Sequence, residues 1–398
     1  MRLPTFYGIG ALALATASYS PASWAINDLF IDPEDGMLDA SAYLSQKMLG
    51  FLPVPMVITE PAVGNGLGVF GVFFHESEAQ KSGTKTVGVI PENITIAGGF
   101  GTENGSKFGG LGHMGFWRND TVRYKGGLGY PDMNLDFYRI GNQPLSEPVQ
   151  LNVSGPAVLQ KLSFRLGQSA WFIGAYQTYQ KMKTRLANEV DITRLPSDEL
   201  NEHLEQFIQN RFNISETTSG LGLVLEYDSR DNPMNPEAGF NYRARAVSFD
   251  DAIGSDLEFT QYQLTGLNYW ILSDTFNLGL RLDYQGVEPR GGKPLPPYAL
   301  PGVNLRGIAK ARYQDQQVAI TELEATYKIT PRWHVKGFTG AGFTAPSWSE
   351  LTDSAEQVES YGAGLRYLLA RRYGFTMGLD VARGPEETAY YIQAGSNW

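Results

Sequence analysis

The residues best suited to chemistry lie in LPGVNLRGIAKARYQDQQ, residues 300–317. Arg306 and Gly307 stand between the apolar residues Leu305 and Ile308, directly after PRGGKPLPPYALPG, which holds too much Pro and Gly for a helix or a strand. Loops of this length are normally polar and run over the surface. The apolar residues Leu305 and Ile308 are therefore unusual here, and we expect them to anchor this loop.

Other motifs carry little chemistry. His75, His113, His203 and His334 are scattered, and no spacing of His, Asp and Glu matches a metal site. His75 and His334 have no paired nucleophile or orienting acid, so an enzyme at a membrane rim is the least favoured function. GLGVFG (residues 66–71) and GLGHMG (residues 110–115) match G-x-G-x-x-G, but both lie inside alternating strands and open no helix. We expect no catalytic residue, no cofactor and no metal.

Composition narrows the class of protein. The chain has 32 basic and 42 acidic residues and a net charge of −10, which argues against nucleic acid as a partner. It has no Cys, so disulfides do not stabilise it. The 45 Gly, 21 Tyr, 21 Phe and 7 Trp accompany a mean hydropathy of −0.25. This combination suits a sheet with a lipid-facing outer side and a wet inner side.

Three segments are predicted. Residues 1–25 resemble a secretory signal peptide, with a charge at Arg2, a short apolar run and small residues at Ser23 and Ala25. Residues 26–61 form a lead-in with weak helical spacing before Pro53 and Pro55. It plugs the lumen, lies along the periplasmic rim, or is an ordered segment without a function of its own. Residues 62–398 form the sheet.

The sheet is predicted from alternation of apolar and polar residues. In FNLGLRLDYQG the even positions from Phe276 to Tyr284 are apolar, and the odd ones include Arg281 and Asp283. The runs last about 10 to 14 residues, which is the length of a strand that crosses a bilayer at a tilt. A soluble β-sandwich has shorter strands. The pattern therefore favours an all-β, antiparallel transmembrane barrel.

Sixteen runs are counted, an even number as in bacterial single-chain barrels. They are 64–76, 91–103, 106–118, 121–130, 133–143, 149–167, 169–186, 217–228, 238–250, 256–273, 274–286, 314–329, 332–345, 356–370, 372–384 and 387–398. If the first starts in the periplasm, the connections after odd-numbered strands are extracellular. These include the two longest, 187–216 and 287–313. The connection 187–216 contains LPSDELNEHLEQFIQN, which predicts a surface helix.

A turn motif supports a family resemblance. In YDSRDNPMNPEAGF, residues 227–240, the residues Asp228, Arg230 and Asp231 can pair and cap a tight turn, Pro236 breaks the strand, and Gly239 permits a positive φ. This turn, together with LRGI at Leu305, Arg306, Gly307 and Ile308, resembles motifs of the BamA/TamA superfamily of outer-membrane proteins, the bacterial surface antigens. The resemblance covers about residues 62–398.

The resemblance implies a loop between strands 11 and 12 that folds into the lumen, with its Arg paired to acids on strands 12 and 13. Glu322 matches the strand-12 acid and Glu324 is a second candidate, since both have the inward phase. On strand 13, Gly340 stands where the family usually has Asp. About 36 residues precede the barrel, too few for a periplasmic polypeptide-transport-associated domain, so a barrel-only form is expected.

The resemblance also bears on the end of the chain. Tyr390, Ile392 and Trp398 share the outward phase of the last run, which is similar to the terminal aromatic signal read by the outer-membrane insertion machinery. An aromatic-girdle residue is the alternative for Trp398.

The favoured function is translocation or assembly of lipid or membrane protein at the seam between the first and last strands, where Gly64, Gly66, Gly68, Gly71 and Gly395 would weaken pairing. The alternative is a passive pore lined by Arg281, Asp283, Arg366 and Asp380. The expected location is the outer membrane of a Gram-negative bacterium. The expected partners are outer-membrane lipids including lipopolysaccharide and, during biogenesis, the insertion machinery, and the resemblance is compatible with a homo-oligomer.

Overall fold

The computed structural model describes residues 29–46, 51–60, 63–76, 91–140, 143–187, 214–293, 295–396 and 398. Their strands form one antiparallel sheet, as predicted. The first eight strands are β1 Phe51–Glu60, β2 Gly64–His75, β3 Asn93–Thr102, β4 Lys107–Trp117, β5 Val122–Ile140, β6 Gln143–Ser154, β7 Ala157–Arg165 and β8 Trp171–Leu186. The other nine are β9 Ile214–Asp228, β10 Gly239–Phe249, β11 Phe259–Ser273, β12 Phe276–Pro289, β13 Gln317–Lys328, β14 Trp333–Ala345, β15 Glu356–Ala370, β16 Phe375–Arg383 and β17 Thr388–Ala394.

Helices are short in the described part of the chain. They are α1 Ser41–Gln46 and α2 Trp348–Asp353, with 3-10 turns at Asp251–Ile253, Pro297–Ala299 and Arg371–Tyr373. No helix among the described residues is long and apolar enough to cross a membrane. The predicted signal peptide at 1–25 and the predicted surface helix around 196–210 lie outside the described residues.

Alternation gives the sheet two different faces, because successive side chains of a strand point to opposite sides. In β12, Leu282 is 48% exposed on the outer face, whereas Arg281 and Asp283 are buried on the inner face. The inner face is the one against which residues 303–308 of the β12–β13 loop pack. Charges therefore lie inside and leucines outside, opposite to a soluble core.

The strands follow one another as a meander, with one exception. β5 pairs with β7 along Val122–Gly129 and with β6 along most of its remaining length, and β8 pairs with both. β6 and β7 therefore lie end to end between β5 and β8, and the chain passes from one to the other at Gly155 and Pro156.

The prediction of sixteen strands differs from the seventeen that the described residues form. The runs 121–130 and 133–143 are one strand, β5, and the run 149–167 is split into β6 and β7. The predicted lead-in, 26–61, contains β1, which pairs with β2 over ten register positions. β1 was not recognised from the sequence as a strand because it contains Pro53 and Pro55, and proline normally interrupts the hydrogen-bond ladder of a sheet.

The two ends of the sheet meet where β1 contacts β17. The hydroxyl of Thr59 donates to the carbonyl of Tyr390 at 2.6 Å and accepts from the N–H of Tyr390 at 2.7 Å. In the described residues this hydroxyl bridge stands where other neighbouring strands have a backbone ladder. Pro53 and Pro55, which have no backbone N–H, are tolerated in β1 because this strand forms a backbone ladder with β2 on one side only. We call the contact between Thr59 and Tyr390 the seam.

The connections separate into two ends of the sheet. The turn end holds the turns Ser229–Ala238 and Arg371–Gly374, joined by a 3.1 Å bond from Asn232 Nδ2 to the carbonyl of Tyr373. Glu76, just after β2, pairs with Arg372 at 2.7 Å, so the connection from β2 to β3 leaves from the turn end. The prediction put that connection on the side of the long loops. This prediction is wrong because β1 precedes the predicted first strand. The strands β2 to β4 therefore run in the opposite direction to the predicted one.

The N-terminal segment, residues 29–46, packs across the turn end. Ala40 and Leu44 of this segment join an apolar cluster with Phe74 and Tyr373. Arg332, buried in the β13–β14 turn, ion-pairs with Asp32, with Asp35 at 2.6 Å and with Asp39 at 2.5 Å. The segment is thus held by an apolar contact and by a charge cluster.

Candidate functional site

Arg306 lies on the inner face against β13, β14 and β16. Its Nε and Nη2 donate to Oε1 of Glu322 at 3.0 and 2.7 Å, and Nη2 is 2.9 Å from Oε2 of Glu324. Its Nη1 donates to Oδ2 of Asp380 at 2.9 Å. The guanidinium carbon is 3.4 Å from the ring centre of Phe338, a cation–π contact. Both predicted acids are therefore in contact with Arg306, and a third, Asp380, joins them.

These side chains belong to a larger set that we call the neutral wall. It consists of Arg281, Asp283, Glu322, Glu324, Lys336, Arg366 and Asp380 on β12–β16, with Arg306 from the loop. Four cations face four carboxylates, so the set has no net charge. Arg366 Nη2 donates to Asp380 at 2.8 Å, Lys336 Nζ donates to Glu324 at 2.7 Å, and Arg281 Nε donates to Asp283 at 2.6 Å.

Burial makes this pairing obligatory. Arg306 is 9% exposed, Glu322 2% and Asp380 1%. Burial lowers the pKa of Arg306, but the carboxylates of Glu324, Glu322 and Asp380 raise it by more, so it stays charged. Removing one member of a buried ion pair leaves an uncompensated charge at a cost of about 3–5 kcal/mol.

Gly340 explains how the loop fits without the acid that the resemblance implies at this position. A Cβ at this position would lie 2.8 Å from Cδ2 of Leu305 and 2.9 Å from the carbonyl of Thr321. The space that a side chain would take is filled by the Leu305 anchor. Asp380 on β16 supplies a further carboxylate from the other side of the guanidinium.

The rest of the loop motif is also anchored. Leu305 and Ile308 lie in an apolar cluster with Val318, Ile320 and others. Gly307 has a φ of +85°, and a Cβ there would lie 3.0 Å from the backbone of Arg383. Its N–H donates to the hydroxyl of Tyr391 at 2.9 Å. Only glycine suits this position, because other residues rarely adopt this φ and the strand backbone is close.

The turn motif is assembled as the residue types suggested. Arg230 Nε donates to Asp228 at 2.8 Å, and Oδ1 of Asp231 accepts from the backbone of Asn232 and Glu237 at 2.9 and 3.1 Å. Gly239 has a φ of +99°. Pro236 lies within the same turn between β9 and β10. Sequence reasoning missed Arg123 of β5, whose Nη1 donates to Asp228 at 2.6 Å.

Trp398 does not face outward as predicted. β17 ends at Ala394, and Gly395, with a φ of +75°, turns the chain before the alternation reaches Trp398. The indole packs against the inner-face residue Tyr269, with ring centres 5.7 Å apart, and lies over Gly279. It lines a cavity of about 170 Å³ beside Arg306 and Glu322. The prediction failed because the strand ends four residues earlier than its apolar pattern.

The charges of the neutral wall were partly foreseen. Arg281, Asp283, Arg366 and Asp380 were expected on the inner face, and they lie there. Their alternation gave the signal. Their convergence on Arg306, and the part played by Lys336 and Phe338, depend on the side-chain geometry across five strands, which alternation does not contain.

The match to a known domain covers every residue of this wall except Asp380. The Omp85 superfamily domain matches residues 164–372, just over half of the chain. The chain belongs to the Omp85 superfamily. The expectation of a BamA/TamA-type outer-membrane β-barrel is thereby confirmed. Omp85 membership also makes the chain a translocation- or assembly-type outer-membrane protein. No curated protein matches it.

Solved structures share the Omp85 fold at low identity. BamA from Haemophilus ducreyi lacking POTRA domains 1–3 is 13% identical over 87% of this chain and 70% of that chain, with a TM-score of 0.52. CdiB from Escherichia coli is 9% identical over 86% of this chain and 62% of its own, with a TM-score of 0.56. CdiB from Acinetobacter baumannii is 10% identical over 88% and 60%, with a TM-score of 0.52. The chain thus spans less than two thirds of the length of either CdiB.

Proposed function

We propose that this Omp85 barrel acts without enzymatic chemistry, translocating or assembling lipid or membrane protein at the seam between β1 and β17. The seam carries the proposal. Neighbouring strands elsewhere are joined by backbone ladders, whereas Thr59 and Tyr390 are joined by a hydroxyl bridge. Among the described residues of β1 and β17, opening the seam would break few hydrogen bonds, and exposed strand edges can pair with another chain.

The neutral wall supports the same proposal. It holds the inner loop to β13, β14 and β16, on the part of the sheet that ends at the seam. Because buried ion pairs hold the neutral wall together, this wall can keep its structure while the weakly bonded seam opens. The outer-membrane location, lipids such as lipopolysaccharide as partners, and the insertion machinery as a partner during biogenesis are part of this proposal.

A passive pore has less support. The residues expected to line it, Arg281, Asp283, Arg366 and Asp380, are each at most 9% exposed and engaged in ion pairs. The loop that carries Arg306 occupies the space beside them. The geometry therefore favours the seam over an open central channel.

A disulfide across the seam tests the proposal. The chain has no Cys, so Thr59→Cys with Tyr390→Cys introduces one possible bridge. Leu280→Cys with Leu323→Cys is the matched control, because these residues are register partners on the outer face of an intact ladder. The test reads phospholipid scrambling in proteoliposomes and outer-membrane protein assembly in cells, before and after reduction.

We expect oxidation of the seam pair to abolish whichever activity the protein has and reduction to restore it, while the control pair keeps activity in both states. Full activity with the seam bridged would contradict the proposal. Steady, weakly selective conductance that persists in the bridged protein would favour the pore instead.

A further inference from the structure

A second group of inner-face charges lies on β5, β7, β9 and β10, away from the inner loop. We call it the cationic wall, and it consists of Lys125, Lys161, Glu226, Arg243 and Arg245. Lys161 Nζ donates to Glu226 at 2.6 Å, and Asn241 Nδ2 donates to the same carboxylate at 2.9 Å. One carboxylate thus faces four cations, so cations outnumber carboxylates by three within this group.

The register makes this arrangement costly. Lys125 of β5 and Lys161 of β7 are direct cross-strand partners. Like charges placed directly opposite each other destabilise a sheet. Arg243 and Arg245 lie two residues apart on the same face of β10, so they repel each other as well. An added negative charge near the cationic wall would therefore reduce this repulsion. Groups of residues that cost stability in this way are expected at functional sites.

Opposite Arg243 and Arg245, the neighbouring strands supply negative charge only through Glu226. On β9 this carboxylate, which already pairs with Lys161, lies opposite Arg243, and Val224 lies opposite Arg245. On β11 the partners of the two arginines are Thr265 and Gln263, which are neutral. Arg245 stacks on the ring of Tyr176 of β8, 4.3 Å from its centre. Arg243 Nη2 donates to Asn241 at 3.0 Å. The buried Nε atoms of both arginines have no hydrogen-bond partner in the part of the chain that the structure describes.

We propose that the cationic wall is a binding site for a phosphate group. Two guanidinium groups suit a phosphate, because each offers paired N–H donors in one plane. Lys125, the cross-strand partner of Lys161, adds an ammonium donor. A phosphate monoester carries about −1.5 to −2 charges near neutral pH, which offsets most of the excess. A free phosphate and the phosphate of a lipid headgroup both present anionic oxygens to paired N–H donors, and the phosphodiester of a headgroup such as phosphatidylglycerol offsets one positive charge. The inference does not depend on the seam.

Calorimetric titration of the detergent-solubilised full chain with inorganic phosphate tests the site. We expect saturable binding at one site that weakens as salt is added. Arg243→Gln with Arg245→Gln should weaken binding at least about tenfold. Lys181→Gln with Lys183→Gln is the control, because it removes two cations from the outer side of β8 and should leave binding unchanged.

A second arm distinguishes the source of the phosphate. The same proteins are placed in nanodiscs of phosphatidylglycerol or phosphatidylcholine, and retained lipids are counted by native mass spectrometry. Retention of phosphatidylglycerol by the wild type and its loss in the double variant would assign the site to a headgroup, and calorimetric binding of inorganic phosphate would assign it to a free anion. The proposal is overturned if neither probe binds, or if the double variant binds like the wild type.

Folding of the variants does not obscure the result. Thermal unfolding of each variant is measured first, and removing like charges should not lower its midpoint. If the double variant fails to fold, Lys125→Gln gives an independent reading, with an expected loss of binding of about threefold. Unchanged phosphate and lipid binding in that folded variant would overturn the proposal.

Discussion

The neutral wall and the cationic wall share one inner surface but differ in charge balance. The neutral wall sets four cations against four carboxylates around Arg306. The cationic wall has four cations and the single carboxylate of Glu226. Buried charge that is matched holds structure together, whereas half-buried charge that is unmatched costs stability and can be offset by a bound anion. The neutral wall therefore stabilises the position of the inner loop, and the cationic wall is the surface that we propose binds a phosphate group.

The largest expected effect comes from removing Arg306. Arg306→Ala leaves Glu322, Glu324 and Asp380 with too few cations, so we expect a loss of about 3–5 kcal/mol in unfolding free energy, or failure to fold. Denaturant unfolding in detergent measures it. Arg245→Gln on the cationic wall is the control, and it should cost little. Equal costs for the two variants would remove the distinction between the walls.

Gly340 tests how the neutral wall is packed. Gly340→Asp restores the acid that the resemblance predicts at this position, but its Cβ would lie 2.8 Å from Leu305. We expect a loss of about 1–3 kcal/mol from overpacking, with a further cost for a fifth carboxylate. Gly340→Ala isolates the steric part, and Leu305→Ala in the same chain should recover some of it. An unchanged unfolding free energy in Gly340→Asp would show that the loop can shift aside.

The cationic wall should respond in the opposite direction. Lys125→Gln removes a like charge directly opposite Lys161, so we expect the unfolding free energy in phosphate-free, low-salt buffer to rise by about 0.2–1 kcal/mol. The gain should shrink at high salt, because screening already weakens the repulsion. Lys181→Gln on the outer side of β8 should give no gain. A loss of stability in Lys125→Gln would mean that Lys125 has a structural partner.

The smallest effect concerns the N-terminal segment. The bond from Arg332 lowers the pKa of Asp35, so this carboxylate contributes stability above the unfolded value of about 3.9 and loses that contribution as pH falls through its lower folded value. Hydrogen exchange of residues 29–46 should therefore be unchanged between pH 7 and about 5, once corrected for the intrinsic rate, and rise below about 4. Faster corrected exchange at pH 6 would point to a different titrating group.

Alternation in the sequence predicted most of the sheet, because a strand with one wet and one oily face must alternate wherever it lies. It failed at β1, where Pro53 and Pro55 mimic a break, and at Trp398, where a glycine turn stops the strand. The run 149–167 is broken at Gly155 and Pro156, which interrupts the ladder without interrupting the alternation.

The candidate site was predicted less completely. Arg306 was predicted from the LRGI motif, and its partners Glu322 and Glu324 were predicted from the alternation of their strand. Both patterns are local properties of the sequence. Asp380 lies 74 residues from Arg306 along the chain, and its contact depends on the tilt of β13–β16 and on the space beside Gly340. The imbalance of the cationic wall is invisible in the sequence for the same reason, since strand register decides that Lys125 meets Lys161.

A double-mutant cycle between Arg306 and Asp380 tests the central claim most directly. The unfolding free energies of the wild type, Arg306→Gln, Asp380→Asn and the double variant are measured in one detergent at one ionic strength. If the matched charges fasten the loop to the wall, the two changes are coupled by about 1–3 kcal/mol, with the double variant less destabilised than the sum of the single variants. Additivity to within about 0.3 kcal/mol would contradict the account, since it would show that the loop is not held by this pair.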